Sequence, residues 1–316
     1  MIQPRFIEID SPGTQDPRAE LAAGLGERPA RVAPKYFYDA LGSRLFEAIT
    51  ELPEYYPTRI ERAIFDREAP AMAAAAGSVH TLVDLGAGSC RKAARLFPVL
   101  QPRRYVAVDI SVDYLRDVLA DLQREFPAVA MTGVGLDFSR RLVLPDDVAP
   151  GPRLLFYPGS SIGNFTPDEA LRFLRQCRDA AAGGSLLIGV DLVKPKAVLE
   201  LAYDDPLQVT AAFNLNVLRR LNVLLGCDAR LEDFAHVALF DETASRIEMH
   251  LQARRALTLR WPGGERALAA GERIHTENSY KYSVEGFDDL LRRAGFTRTS
   301  CWTDAQRWFA VFLAAG

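Results

Sequence analysis

Between Thr81 and Leu192, short apolar runs alternate with amphipathic stretches, and this alternation constrains the fold more than any other feature of the chain. The runs Thr81–Leu85, Tyr105–Ile110, Val129–Leu136, Leu154–Tyr157 and Ser185–Leu192 have strand length, and Val112–Phe126 between two of them has helical periodicity. Thr166-Pro-Asp-Glu169 marks another helix start, with an N-cap, a proline at the first helical position and a capping-box glutamate. Strands joined by helical crossovers lie parallel, covered by helices on both faces. The expected class is therefore α/β: a doubly wound, mostly parallel, Rossmann-like sheet.

The rhythm fails after Lys194. Residues 197–226 read as helical, whereas Ile247, Met249 and Leu251 alternate with Glu248, His250 and Gln252 as in an antiparallel strand. A helix over Val284–Ala294 and two strands, Thr297–Trp302 and Trp308–Ala314, return to the first architecture. Nearer the start, Phe37, Leu41, Leu45 and Ile49 predict one helix, prolines 53 and 57 interrupt it, and Thr58 with Glu61 predicts the capping box of the next. The first thirty residues lack periodicity and are expected to form a loosely held arm. We thus expect a sheet domain over 60–194 and 286–316, and a second, smaller α+β substrate domain over 1–59 and 195–285.

Composition excludes several classes. In 316 residues, 38 Lys+Arg stand against 41 Asp+Glu, a balance of −3 that leaves no electrostatic footprint for nucleic acid. No apolar run reaches the ~18 residues of a membrane span, and the opening residues lack a signal-peptide layout, so a cytoplasmic protein is expected. Cys90, Cys177, Cys227 and Cys301, and the four histidines, are dispersed without metal-ligand spacing, so no metal is expected.

Val83-Asp-Leu-Gly86-Ala-Gly88-Ser89 follows a strand and opens a helix, where missing side chains let a ligand approach the backbone. The dinucleotide fingerprint requires a third glycine where this chain has Arg91, which counts against a nicotinamide oxidoreductase. With Asp84 in the strand end, the loop resembles the first motif of class I methyltransferases that use S-adenosyl-L-methionine. By that resemblance Gly86 and Gly88 face the cofactor, Asp109 holds the ribose hydroxyls, Asp137 and Phe138 contact the adenine, and Lys92 takes a cofactor-side position.

Further motifs narrow the resemblance. Lys35-Tyr-Phe-Tyr-Asp-Ala-Leu-Gly-Ser43, Leu52-Pro-Glu-Tyr-Tyr-Pro-Thr-Arg59, Gly159-Ser-Ser-Ile-Gly-Asn164, Ala202-Tyr-Asp-Asp205, Ala212-Phe-Asn-Leu-Asn-Val-Leu218 and Arg246-Ile-Glu-Met249 resemble the histidine-specific Nα-methyltransferases of ergothioneine biosynthesis, from about residue 33 onward. The resemblance implies free L-histidine as substrate and its trimethyl betaine, hercynine, as product. It implies that Tyr55, Asn164 and Tyr203 hold the carboxylate and amine, with Gly159 in the same loop as Asn164. Tyr38 would face the amine, making Tyr38 and Asn164 the residues nearest the chemistry, and Phe46 and Met249 would line the pocket. Neutral donors of this kind can hold a carboxylate without a buried lysine, whose charge would repel a sulfonium and an ammonium.

Glu277 and Ser279, in Thr276-Glu-Asn-Ser-Tyr-Lys281, correspond to the family's imidazole contacts, and they share a face if the segment is extended. Simpler roles exist for the same residues: Tyr55 and Tyr56 can pack a loop, Asn164 can cap the helix after it, Met249 can be core, Glu277 can sit on a surface hairpin, and Lys92 can be a solvated charge. Rival functions are a relative acting on a tryptophan derivative, which is expected to lack the Glu and Ser pair, and a silent sensor of cofactor or histidine. A monomer is expected.

Overall fold

A computed structural model describes residues 3–9, 16–110, 112–139, 141–145, 147–148 and 150–316. In chain order its elements begin with β1 (Arg5–Glu8), α1 (Pro17–Gly26), β2 (Ala30–Arg31), α2 (Ala40–Thr50), α3 (Tyr56–Ala76) and β3 (Thr81–Leu85). Next come α4 (Arg91–Ala94), α5 (Phe97–Leu100), β4 (Arg104–Asp109), α6 (Val112–Glu125), β5 (Ala130–Gly135), β6 (Arg153–Tyr157), α7 (Pro167–Ala180) and β7 (Ser185–Asp191). Then follow α8 (Lys196–Tyr203), α9 (Val209–Leu225), β8 (Phe234–Asp241), β9 (Arg246–Ala253), β10 (Leu257–Trp261), β11 (Gly264–Leu268) and β12 (Arg273–Tyr280). The chain ends with α10 (Val284–Ala294), β13 (Arg298–Thr303) and β14 (Phe309–Ala315).

Two compact units result. The first comprises Met1–Gly13, Ile60–Leu192 and Tyr282–Gly316; the second comprises Thr14–Arg59 and Val193–Lys281. The first is built on an eight-stranded sheet in the order β1-β5-β4-β3-β6-β7-β14-β13, parallel except at β14 and β13. Strand order reverses beside β3, the place where open α/β sheets bind ligands at their carboxyl ends. Successive residues of the central strands face opposite cores. Val83, Leu85, Val106 and Val108 pack with Phe173 and Leu291 of α7 and α10, whereas Leu82, Tyr105 and Ala107 pack with Ile64, Leu115 and Leu119 of α3 and α6.

The second unit holds a four-stranded sheet, β2-β12-β9-β8, and the β10-β11 hairpin. Helix α9 ties this sheet together through Asn214, which is fully buried. Its amide nitrogen donates to the His250 carbonyl at 3.0 Å and lies 2.8 Å from His236 Nδ1, and its oxygen lies 2.8 Å from Thr276 Oγ1. His236 Nε2 is 2.8 Å from the Tyr203 carbonyl, so Nε2 carries the proton and Nδ1 accepts from Asn214. Burial holds the ring below the usual histidine range, in keeping with this neutral tautomer.

Four local expectations are corrected. Within the first thirty residues, β1 pairs with β5, and α1 is capped by Asp16 and buries Leu21 and Leu25; residues 1–2 and 10–15 of the expected arm lie outside the described residues. The helix expected across Phe37 is a 3-10 turn, Pro34–Phe37, followed by α2, because Asp39 takes the Gly42 N–H at 2.7 Å and starts the helix there. Helix α3 begins at Tyr56 rather than Thr58, since Pro57 fits a first turn where its missing N–H costs nothing. The stretch 197–226 is two helices, separated around Pro206, with the Asp205 carboxylate accepting from Val209 and Thr210 N–H at 3.0 and 2.8 Å.

Candidate active site

In the first unit the chain leaves β3 through Gly86 and Gly88, whose φ values of +70° and +48° lie in the left-handed region open to glycine. The Gly86 and Ala87 N–H groups donate to the Val108 carbonyl at 2.8 and 3.1 Å, and Gly88 N–H donates to Asp109 Oδ2 at 3.0 Å. The glycine turn and Asp109 are thereby one unit of structure at the ends of adjacent strands. A Cβ on Gly86 would lie 3.6 Å from Phe138 Cζ, and the Phe138 ring is held against Tyr157 and Phe173 at 5.9 and 6.0 Å. Asp137 accepts from the Ser139 hydroxyl. Beneath the turn, burial pushes the Asp84 carboxyl up to about 7, opposed by a 2.7 Å hydrogen bond from Tyr105. A bare backbone turn, a carboxylate suited to a diol and an aromatic ring fit the nucleoside of S-adenosyl-L-methionine.

Lys92 and Gly159 are joined by a residue that sequence reasoning gave another task. Glu61, buried in α3, accepts from Gly159 N–H at 2.6 Å and from Lys92 Nζ at 2.7 Å. Its carboxylate is therefore committed to these two groups and not to a capping box. Gly189 on β7 makes the space, because a Cβ there would lie 2.1 Å from Glu61 Oε1. Lys92 is thus an ion-pair partner of a buried carboxylate and not merely a solvated charge. Asn164 ends the 3-10 turn Ser161–Asn164; Thr166 and Glu169 form the capping box themselves, so capping is not Asn164's role.

In the second unit four aromatic rings form a chain of edge contacts. Tyr38 meets Phe46 at 5.8 Å, Phe46 meets Tyr55 at 6.1 Å, and Tyr55 meets Tyr203 at 6.1 Å. Phe213 of α9 backs Tyr38 and Phe46 at 5.8 and 5.9 Å and was not anticipated. Tyr38 is 41% exposed, whereas Tyr55 and Tyr203 are buried. The chain of rings continues into polar groups, because Tyr203 OH lies 2.8 Å from Ser279 Oγ. Strand β12 carries Glu277 and Ser279 on one face, with Met249 and Ile247 of β9 as their register partners. Met249 is fully packed beside Glu277, and Glu277 is 8% exposed, so it is no surface carboxylate. Burial pushes its carboxyl up to about 8, with the charge of Lys281 pulling the other way.

The model of a family described as histidine-specific, S-adenosylmethionine-dependent methyltransferases matches residues 17–316. The chain belongs to that family. Histidine N-alpha-methyltransferase of Mycolicibacterium smegmatis is 41% identical over 304 residues and that of Mycobacterium tuberculosis 39% over 306, each match covering 94% of both chains. Ergothioneine biosynthesis protein 1 of Neurospora crassa is 31% identical over 90% of this chain and 33% of its own length. The cofactor of this family member is S-adenosyl-L-methionine, which sets aside the nicotinamide reading.

Within this methyltransferase one expectation fails. A lysine is buried in the aromatic and hydroxyl cluster: Lys281, 3% exposed, donates to Ser279 Oγ at 2.7 Å and to Tyr203 OH at 3.1 Å, with Nζ 4.9 Å from the Tyr203 ring centre. The signal was present in the alternation of Glu277, Ser279 and Lys281, which places the third side chain with the first two. Its charge is felt by the Glu277 carboxyl, which it pulls toward the ionised form against the larger effect of burial. Ser245 fixes its backbone, accepting Lys281 N–H at 2.8 Å and donating its hydroxyl to the Lys281 carbonyl at 2.9 Å. Among the described residues no cluster of His, Cys, Asp and Glu is arranged to hold a metal, and no helix is long and apolar enough to cross a membrane.

Proposed function

We propose that this chain transfers methyl groups from S-adenosyl-L-methionine to the α-amine of free L-histidine, giving hercynine for ergothioneine biosynthesis. The observation that carries the reading is the buried carboxylate and hydroxyl of Glu277 and Ser279 on one strand face, within a chain of the histidine-specific family. A neutral imidazole has one N–H and one bare nitrogen, and an acceptor beside a donor answers both. The relatives, histidine N-alpha-methyltransferase and ergothioneine biosynthesis protein 1, support the same substrate and pathway.

The remaining roles are assigned accordingly. Gly86 and Gly88 give the backbone approach for the cofactor, Asp109 takes the ribose hydroxyls, Asp137 and Phe138 take the adenine, and Lys92 stands beside them. The cofactor supplies an electrophilic methyl group on a sulfonium. Tyr55, Tyr203, Asn164 and Gly159 hold the amino acid's carboxylate and amine, and Phe46 and Met249 shape the pocket. Tyr38, the most exposed ring of the chain, faces the amine, whose proton passes to water, so no dedicated base is assigned. As methyl groups accumulate, the nitrogen loses its N–H donors, and the rings of Tyr38, Phe46 and Tyr55 hold the resulting cation at about 1 kcal/mol each. Holding the reacting atoms about 3 Å apart accounts for most of the acceleration.

In this reading the first unit binds the methyl donor and the second recognises the histidine side chain. The proposal places the enzyme in the cytoplasm, where its four free thiols suit a reducing milieu, and has it work as a monomer. The test is mass spectrometry of products after incubation with S-adenosyl-L-methionine and either histidine, tryptophan or histamine. Mono-, di- and trimethylated species from histidine alone are expected, with fragmentation placing the methyl groups on the α-nitrogen. Methylation of tryptophan in preference to histidine, or of the imidazole ring, contradicts the proposal.

A further inference from the structure

We propose that Glu61 is a positioning residue that couples the methyl-donor side of the first unit to the loop carrying Asn164, with Lys92 at one carboxylate oxygen and Gly159 N–H at the other. The inference rests on the roles given above to Lys92 and Asn164, and adds to them a residue that acts through both and on neither ligand.

Glu61 is 1% exposed, and a carboxylate buried to that degree is costly unless it is paired and hydrogen-bonded. Apolar residues of similar volume in place of a buried ion pair are often neutral or stabilising, so folding alone gives little reason for a charge at this position. The packing nonetheless makes room for one, because β7 has no side chain at Gly189, where a Cβ would lie 2.1 Å from Oε1. Both groups that the carboxylate holds belong to segments with a ligand to place. Lys92, in α4 just after the glycine turn, gives Nζ to Oε2 at 2.7 Å, and Gly159, at the head of the Asn164 loop, gives its N–H to Oε1 at 2.6 Å. The two segments also touch: a Cβ on Gly159 would lie 3.1 Å from Lys92 Nζ.

The loop backbone is of a kind that needs holding. Gly159 and Ser160 take consecutive left-handed conformations, with φ of +80° and +59°, and for Ser160 this costs about 1 kcal/mol and persists only where the surroundings fix it. Glu61 fixes the first residue, and Asp191 N–H fixes the second by donating to Ser160 Oγ at 2.8 Å. From Ser160 the chain passes directly into the 3-10 turn Ser161–Asn164, where Gly163 N–H donates to the Ser160 carbonyl at 2.9 Å. The Asp191 anchor is main chain of a central strand. The Glu61 anchor is a side chain whose other oxygen follows the Lys92 ammonium, so a displacement of Lys92 is passed to the head of the loop and through the turn to Asn164.

The test is a double-mutant cycle on the full chain, read by calorimetric titration of histidine at saturating S-adenosylhomocysteine. Glu61→Gln keeps the side-chain shape and an oxygen for Gly159 N–H, and offers Lys92 no charge. Lys92→Met should weaken histidine binding roughly fivefold, although Lys92 stands on the cofactor side. In the Glu61→Gln background the same substitution should cost histidine about twofold or less, because the carboxylate through which it acts is gone. Equal losses in both backgrounds, or no loss in either, would overturn the proposal. Hydrogen exchange gives a second measurement: protection of the Gly159 amide should rise roughly tenfold when S-adenosylhomocysteine binds the wild-type protein, and not when it saturates Lys92→Met. An equal rise in both would overturn the proposal. A wild-type protein that takes S-adenosylhomocysteine but no histidine overturns the functional reading, and this inference with it.

Discussion

Glu277 lies on β12 with little exposure to solvent. Its carboxyl is buried and titrates near 8, against 4.5 for the free group, so between those values the folded state keeps a proton that the unfolded chain sheds. A group whose pKa is raised by folding favours the folded state at low pH, and that contribution is lost as pH rises toward 8. Glu277→Gln removes the ionisation and should therefore stabilise the ligand-free protein more at high pH than at low pH, by about 4 kcal/mol across this window. Thermal midpoints of the two proteins at about pH 5 and pH 8.5 check this; a difference that does not change with pH contradicts the burial of an ionisable group. At this scale the sequence was informative where its motifs named residues that the fold brings into contact, as for Tyr38 with Phe46 and Tyr203 with Ser279. It placed Phe213 in a motif without a role, since its apolar side chain looks like any core residue on α9, and was misleading on Lys281, whose charge argues against burial until its partners are known.

Elements were legible in proportion to their periodicity. The parallel strands and the capping box at Thr166 stand in the sequence because alternation and turn chemistry agree there. Strand β12 was harder to read, since the register shift between His275 and Glu277 interrupts its alternation, and only its pairing with β9 shows that Glu277 and Ser279 share a face. Helix α3 illustrates a different limit. Glu61 has the spacing of a capping box, yet its carboxylate is drawn to Gly159 and Lys92, 98 and 31 positions away, a long-range use that no local pattern encodes. The close approach of Gly189 gives the testable consequence. Gly189→Ala should drive a methyl group onto Glu61 and against the Phe309 ring, destabilising the protein by about 2 kcal/mol. A lower urea midpoint with an unchanged slope is expected, together with weaker binding of S-adenosylhomocysteine as the Lys92 ion pair is displaced. Unaltered cofactor affinity in a destabilised variant would confine Glu61 to a role in folding.

At the scale of the whole molecule, the residues proposed for the cofactor and for the histidine side chain fall in different units. The glycine turn, Asp109 and Phe138 belong to the first, and the ring chain with Glu277, Ser279 and Lys281 belongs to the second. The two architectures demand different hydrophobic periods, which is why the crossover rhythm gives way to antiparallel alternation after Lys194. The start of the chain did not announce itself, since a four-residue edge strand is too short to show a period, and β1 is recognisable only once β5 is beside it. The measurement that bears most directly on the account is a pair of titrations on two variants. Glu277→Ala should lower histidine affinity by roughly thirtyfold or more and leave S-adenosylhomocysteine binding nearly intact, while Asp109→Ala should do the reverse. Loss of both ligands in either variant, with the fold retained, would contradict an enzyme that reads its methyl donor and the histidine side chain with separate sets of residues.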